Sequence, residues 1–92
     1  MEIRWSPLAA EDLEQIRSFI ERDNPDAALR VITTIYEGCY RLTDFPYLGR
    51  QLSRPAGARQ LSFPPLPYVA VYRLRHNRVE IMRIYHAAQN RQ

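Results

Sequence analysis

Residues 68–86, YVAVYRLRHNRVEIMRIYH, hold two runs of β-branched and aromatic residues separated only by His76-Asn77, and no other stretch restricts the fold as strongly. The pattern specifies an antiparallel hairpin. A two-residue loop favours positive φ at both central positions, which Asn77 tolerates well and His76 less well, so a four-residue loop is the alternative. A tight loop sets the register: Arg75 faces Arg78, Leu74 faces Val79, Arg73 faces Glu80, Tyr72 faces Ile81, Val71 faces Met82, Ala70 faces Arg83, Val69 faces Ile84 and Tyr68 faces Tyr85. One face then carries Leu74, Val79, Tyr72 and Ile81, followed by Ala70, Arg83, Tyr68 and Tyr85; the other carries Val71, Met82, Val69 and Ile84. Both faces are largely apolar. A hairpin with one wet face should alternate apolar and polar residues, so this one expects cover on both sides or a partner on one of them.

The chain has 92 residues, which predicts one domain spanning residues 1–92 with a single modest core. No window approaches the roughly 20 apolar residues of a membrane span, and MEIRWSPLAAEDLEQ lacks the basic-then-apolar order of a signal peptide, so a cytoplasmic protein without membrane contact is expected. Cys39 is the sole cysteine and the two histidines are far apart, which gives no disulfide, no recognisable zinc spacing and no expected cofactor. The net charge is +3, and all 13 basic residues are Arg. Arg suits bidentate contact with carboxylate or phosphate, although an Arg-rich genome produces the same bias, and a charge of this size is weak evidence for nucleic-acid binding.

Upstream of the hairpin, Glu2 to Trp5 is a short alternating run that fits a first strand. Ser6-Pro7 opens a helix, because Ser6 can accept from the orphan amides and Pro7 has no amide to leave unpaired. Ala9, Leu13, Ile16 and Ile20 make an apolar stripe that Phe19 widens. Glu11, Asp12 and Glu14 read as capping and solvating charges near the positive end of the helix. Asn24-Pro25 repeats the start signal, and Ala28, Val31, Ile32, Ile35, Cys39 and Leu42 keep helical spacing, so the two helices form an antiparallel pair. Cys39 is read as a small core residue. Phe45 to Gly57 is read as a surface loop, Ala58 to Phe63 as a strand, and Pro64-Pro65-Leu66-Pro67 as an extended connection. The order β, α, α, β, β, β predicts an α+β domain: an N-terminal strand and a helical hairpin, then a three-strand antiparallel meander, in one twisted sheet. Leu13, Ile16, Val31, Ile35, Tyr72 and Ile81 are its expected core.

SPLAAEDLEQIRSFI, NPDAA, LTDFPYLGR, GARQL, PYVAVYRL and VEIMRIYHAAQNR, in this order over nearly the whole chain, resemble the RelE/ParE superfamily of toxins from bacterial type II toxin-antitoxin systems. The resemblance implies a helical hairpin against a twisted sheet and a protein antitoxin that wraps and neutralises the toxin, with operator DNA reached only through that antitoxin. It also implies one of two targets. RelE-like members cut messenger RNA on the ribosome, whereas ParE-like members poison DNA gyrase and are not nucleases.

A nuclease needs cationic groups on the sheet to hold phosphate and an acid/base pair for the proton transfers. Arg59, Arg83, Tyr85 and His86 are the candidates that the resemblance supplies, and Tyr68, Arg73, Arg83, Tyr85, His86 and Arg91 are the candidates for antitoxin or target binding. Where RelE carries an arginine in its third strand this chain has Val69, and where RelE places lysines on the second strand it has Gln60 and Ser62. Arg73 is most simply a cross-strand ion pair with Glu80, His86 a hydrogen-bonded strand-end histidine, and Trp5 an anchor for the core or the helix start. The ParE-like branch is therefore preferred. The alternatives are a RelE-like ribosome-dependent endoribonuclease and a non-toxic binding half of a repressor complex.

Overall fold

The computed structural model describes residues 1–89. Strand β1 (Glu2–Trp5) leads into helices α1 (Pro7–Glu21) and α2 (Pro25–Tyr40), which a single 3-10 turn (Arg41–Thr43) extends. Strands β2 (Arg50–Gln51), β3 (Ala58–Ser62), β4 (Tyr68–Arg75) and β5 (Arg78–His86) follow, then a second 3-10 turn (Ala87–Gln89). Both helices start as their sequences dictate: the Ser6 side chain accepts from the Ala9 amide and that of Asn24 from the Ala27 amide, each at 3.0 Å, with a proline at the first helical position.

All five strands form one sheet in the order β1-β5-β4-β3-β2. The meander β3-β4-β5 is antiparallel as expected, but the sheet is mixed, because β1 lies parallel to β5 with Glu2 opposite Arg78 and Trp5 opposite Ile81. The expected loop from Phe45 to Gly57 also contributes a strand: Arg50 and Gln51 pair with Gln60 and Arg59. That strand is two residues long, too short to show a period of two in the sequence.

The hairpin turn is the tight one, with His76 at φ 53° and Asn77 at φ 59°. The register from Arg75–Arg78 to Tyr72–Ile81 is the expected one, and then it slips. A bulge between Val71 and Tyr72 leaves Met82 unopposed, so Val71 faces Arg83, Ala70 faces Ile84, Val69 faces Tyr85 and Tyr68 faces His86. One extra residue exchanges the faces of everything beyond it. The face towards the helices becomes consistently apolar, with Leu74, Val79, Tyr72, Ile81, Ala70 and Ile84 in or against the core, while Arg83 and Tyr85 move to the other side. The expectation that both faces are largely apolar is thereby corrected. The second side keeps a small cluster of Leu52, Ala58 and Val71 with Tyr85 against it, surrounded by charge.

The main core joins Ala9, Ile35, Cys39 and Leu42 of the helical layer to Leu61, Phe63, Ala70, Tyr72, Val79, Ile81 and Ile84 of the sheet layer. Of the expected core residues, Ile35, Tyr72 and Ile81 are fully buried, whereas Leu13, Ile16 and Val31 are half-buried and packed against them. Phe19 does not widen the buried stripe of α1; it is 68% exposed. The Tyr72 hydroxyl fastens the 44–57 segment, donating to the Pro46 carbonyl at 2.8 Å and accepting from the Gly49 amide at 2.9 Å. Gly49 is required there, because a Cβ would lie 2.7 Å from the Tyr72 ring and 2.8 Å from the Gln60 carbonyl oxygen. Among the described residues no helix is long and apolar enough to cross a membrane.

Candidate functional site

Strand β1 covers the outer edge of β5 only as far as Ile81, and α1 completes the work. Ser6 donates its amide to the Ile81 carbonyl at 2.9 Å and its hydroxyl to the Met82 carbonyl at 2.8 Å, which satisfies the carbonyl that the bulge exposes. The Asp12 carboxylate then accepts the Ile84 amide at 3.0 Å and, from two directions, the Arg83 guanidinium, with Nε at 2.8 Å and an Nη at 3.0 Å. Asp12 is therefore neither a cap nor a solvating charge. It replaces a missing strand partner and pins α1 to the sheet. The Asp12 hydrogen bond is the main reason that the Arg83 guanidinium holds its proton even more firmly than an ordinary arginine. Its two neighbours in the acidic cluster face outward, and Glu14, held below the usual carboxylate range by Arg17, is part of a surface pair.

Beside this edge lies a groove of about 530 Å³ between α1 and the end of β5, lined by Asp12, Phe19, Tyr68, Arg83, Tyr85 and His86 among others. Four of the sequence candidates therefore meet around one concavity. Arg83 rests over the Tyr85 ring at 5.1 Å, and Tyr68 meets the His86 ring edge-on at 5.5 Å. His86 is exposed, and its Nδ1 accepts from the Ala88 amide at 3.2 Å, a hydrogen-bonded strand-end histidine as read from the sequence.

The remaining candidates lie elsewhere. Arg73 pairs with Glu80 at 2.8 Å on the side of the sheet away from the helices. That hydrogen bond, reinforced by Arg75 and Arg78, keeps Glu80 below the usual carboxylate range. Arg59 faces Tyr72 on the helix side, where it donates to the Gly49 carbonyl at 2.8 Å and stacks at 4.9 Å over Tyr47. Tyr72 and Tyr68 are four residues apart on β4, so Arg59 is separated from His86 by about 13 Å along the strands. Arg91 lies outside the described residues. Trp5 anchors as expected, stacked on Tyr36 of α2 at 6.0 Å. Cys39 is buried among apolar side chains, which push its thiol up to about 12.

The five-stranded sheet backed by two helices is the fold of toxin proteins. In the Chromosomal ParDE TA system from P. aeruginosa, one chain superposes with a TM-score of 0.83 at 28% identity, covering 94% of this chain and 95% of that one. The toxin-antitoxin complex RelBE2 from Mycobacterium tuberculosis shares the fold, with a TM-score of 0.69 at 24% identity over 92% of this chain and 95% of that one. Residues 3–91 match the family described as ParE toxin of type II toxin-antitoxin system, parDE. The chain belongs to that family and is a toxin of the type II toxin-antitoxin class. Among curated sequences it is 38% identical to Y4kP of Sinorhizobium fredii, named as a toxin, over 95% of this chain and 88% of the relative. It is also 34% identical to toxin RelE2 of Caulobacter vibrioides, over 96% of this chain and 97% of that one.

Proposed function

We infer that the protein inhibits growth by acting on DNA gyrase in the cytoplasm, as ParE-like toxins do, and is neutralised by a cognate antitoxin through which alone the pair reaches operator DNA. The observation that carries this reading is the state of the arginines. Ribosome-dependent cleavage calls for unpaired cations converging on one phosphate. Here Arg83 is held bidentate by Asp12, Arg73 is held by Glu80, and Arg59 is held by a loop carbonyl on the opposite side of the sheet from Arg73. Membership of the ParE toxin family supports the same target.

A second reading, RelE-like cleavage using Arg83, Tyr85 and His86, is favoured by the exposure of His86 in the groove that also holds Tyr85. Three measurements on wild type and His86→Gln separate the two: growth inhibition, gyrase supercoiling, and ribosome-dependent mRNA cleavage. The gyrase reading expects loss of supercoiling with wild-type protein and nearly full toxicity in His86→Gln. Intact supercoiling, with mRNA cut in a manner that falls about 10²–10⁴-fold in His86→Gln, would transfer the chain to the nuclease branch.

A further inference from the structure

On the side of the sheet away from the helices, the start of α1 and the paired strands β1 and β5 line a second groove, of about 680 Å³. Its exposed apolar surface comes from Leu8 and Met82, and its charge from Arg4, Arg73 and Arg78 around Glu80. Leu8 is 55% exposed, although it lies in the first turn of a helix whose opposite face is buried. The charges are not balanced. Arg73 is matched by Glu80, but the side chains of Arg4 and Arg78 make no hydrogen bond or ion pair among the described residues, and Arg75 adds a further positive charge opposite Arg78. Register puts Arg4 beside Glu80 and Arg78 between Glu2 and Arg75, so the four arginines Arg4, Arg73, Arg75 and Arg78 outnumber the two carboxylates among them and border the apolar surface.

We propose that this groove is the seat of the antitoxin, and that it takes an acidic segment whose aliphatic side chains rest on Leu8 and Met82 while its carboxylates pair with Arg4 and Arg78. The proposal rests on the toxin-antitoxin reading above and names the surface and chemistry that it uses. Bidentate arginine contact with carboxylate gives such a site direction, and the apolar strip gives it area. Nucleic acid is the rival ligand, and one feature disfavours it. The one indole nearby, Trp5, is already stacked on Tyr36 and is not free to stack a base.

The test uses the protein encoded by the reading frame adjacent to this chain's own, and binding by biolayer interferometry to wild type, Arg4→Glu, Arg78→Glu, the double variant, and Arg30→Glu. Arg30 is exposed on α2, and its reversal makes the same change in net charge as either single groove reversal, away from the groove. Far-UV circular dichroism checks folding, with Arg78→Ala as the milder replacement if a reversal unfolds the chain. Expected are a loss of about 10²-fold in affinity for the double variant, little change for Arg30→Glu, and weaker wild-type binding as salt is raised. Equal affinity for the double variant and Arg30→Glu would overturn the groove assignment and leave the antitoxin reading standing. Failure of the neighbouring protein to bind wild type would overturn both. Salt-sensitive binding of a single-stranded RNA 20-mer that the double variant loses, with protein binding unchanged, would give the groove to nucleic acid instead.

Discussion

Replacing Asp12 by Ala removes one carboxylate that serves two structures, and the two contributions can be separated. The Ile84 amide, on the outer edge of a nearly buried strand position, loses its acceptor at 3.0 Å. A hydrogen bond to a charged group contributes about 1.5–3 kcal/mol. The Arg83 pair adds less, because that side chain is 37% exposed; a solvent-screened pair is worth roughly 0.2–1 kcal/mol. Asp12→Ala should therefore cost about 2–4 kcal/mol, a large share of the 5–15 kcal/mol typical of a domain, and lower the Tm by roughly 8–30 °C. Arg83→Met should cost at most about 1 kcal/mol. Asp12→Asn keeps an oxygen for the amide and should fall between them. Thermal unfolding followed by circular dichroism ranks the three. If Asp12→Ala and Arg83→Met come out equal to within about 0.5 kcal/mol, the amide contact is not what ties α1 to the sheet and the reasoning fails.

Other perturbations follow from the same contacts. Tyr72→Phe leaves the Gly49 amide and the Pro46 carbonyl without their partner, and urea denaturation should register a loss of about 1–3 kcal/mol together with faster proteolysis between residues 44 and 57. Ile35→Ala, at a fully buried position, should cost about 2–5 kcal/mol, and Ile16→Ala distinctly less because Ile16 is only half-buried. Cys39 should resist a thiol reagent at pH 8 in the native state and react once in denaturant. Because its folded thiol ionises only near about 12, its contribution to stability is complete below the unfolded value of about 8.5 and is lost as pH rises from there, so wild type should lose more stability than Cys39→Ala between pH 8.5 and 10.5.

The local parts of this fold are legible in the sequence because local rules generate them. Ser6-Pro7 and Asn24-Pro25 place both helix starts, and the His76-Asn77 turn gives the pairing of Arg73 with Glu80, two residue pairs from the turn. What is lost is lost to distance or to brevity. The bulge at Met82 has no compositional mark, and it becomes evident only because Ile84, rather than Arg83, must face the core opposite Ala70. Asp12 looks like any acid in an early helical turn until the fold brings it to Arg83 and Ile84, far along the chain. The same holds for the site. The residue types at the end of β5 are visible in the sequence, but that Arg83 is occupied by Asp12, and that Arg59 is on the other side of the sheet from Arg83, depends on register and helix placement.

The parallel pairing of residues 2–5 with residues 78–81 also imposes an order on how the chain matures during synthesis. At about 5–20 residues per second, β1 and the helical hairpin emerge several seconds before the strand that β1 must join and α1 must clasp. Through that interval Ala9, Ile35 and Cys39 have no sheet to pack on. Closing contacts this far apart is slow, and the half-made sheet exposes an unpaired edge to any neighbouring strand. Both grooves take walls from β5, so neither exists until that strand has inserted between β1 and β4. The nascent chain accordingly exposes unpacked apolar surface first and completes both grooves only at the last step.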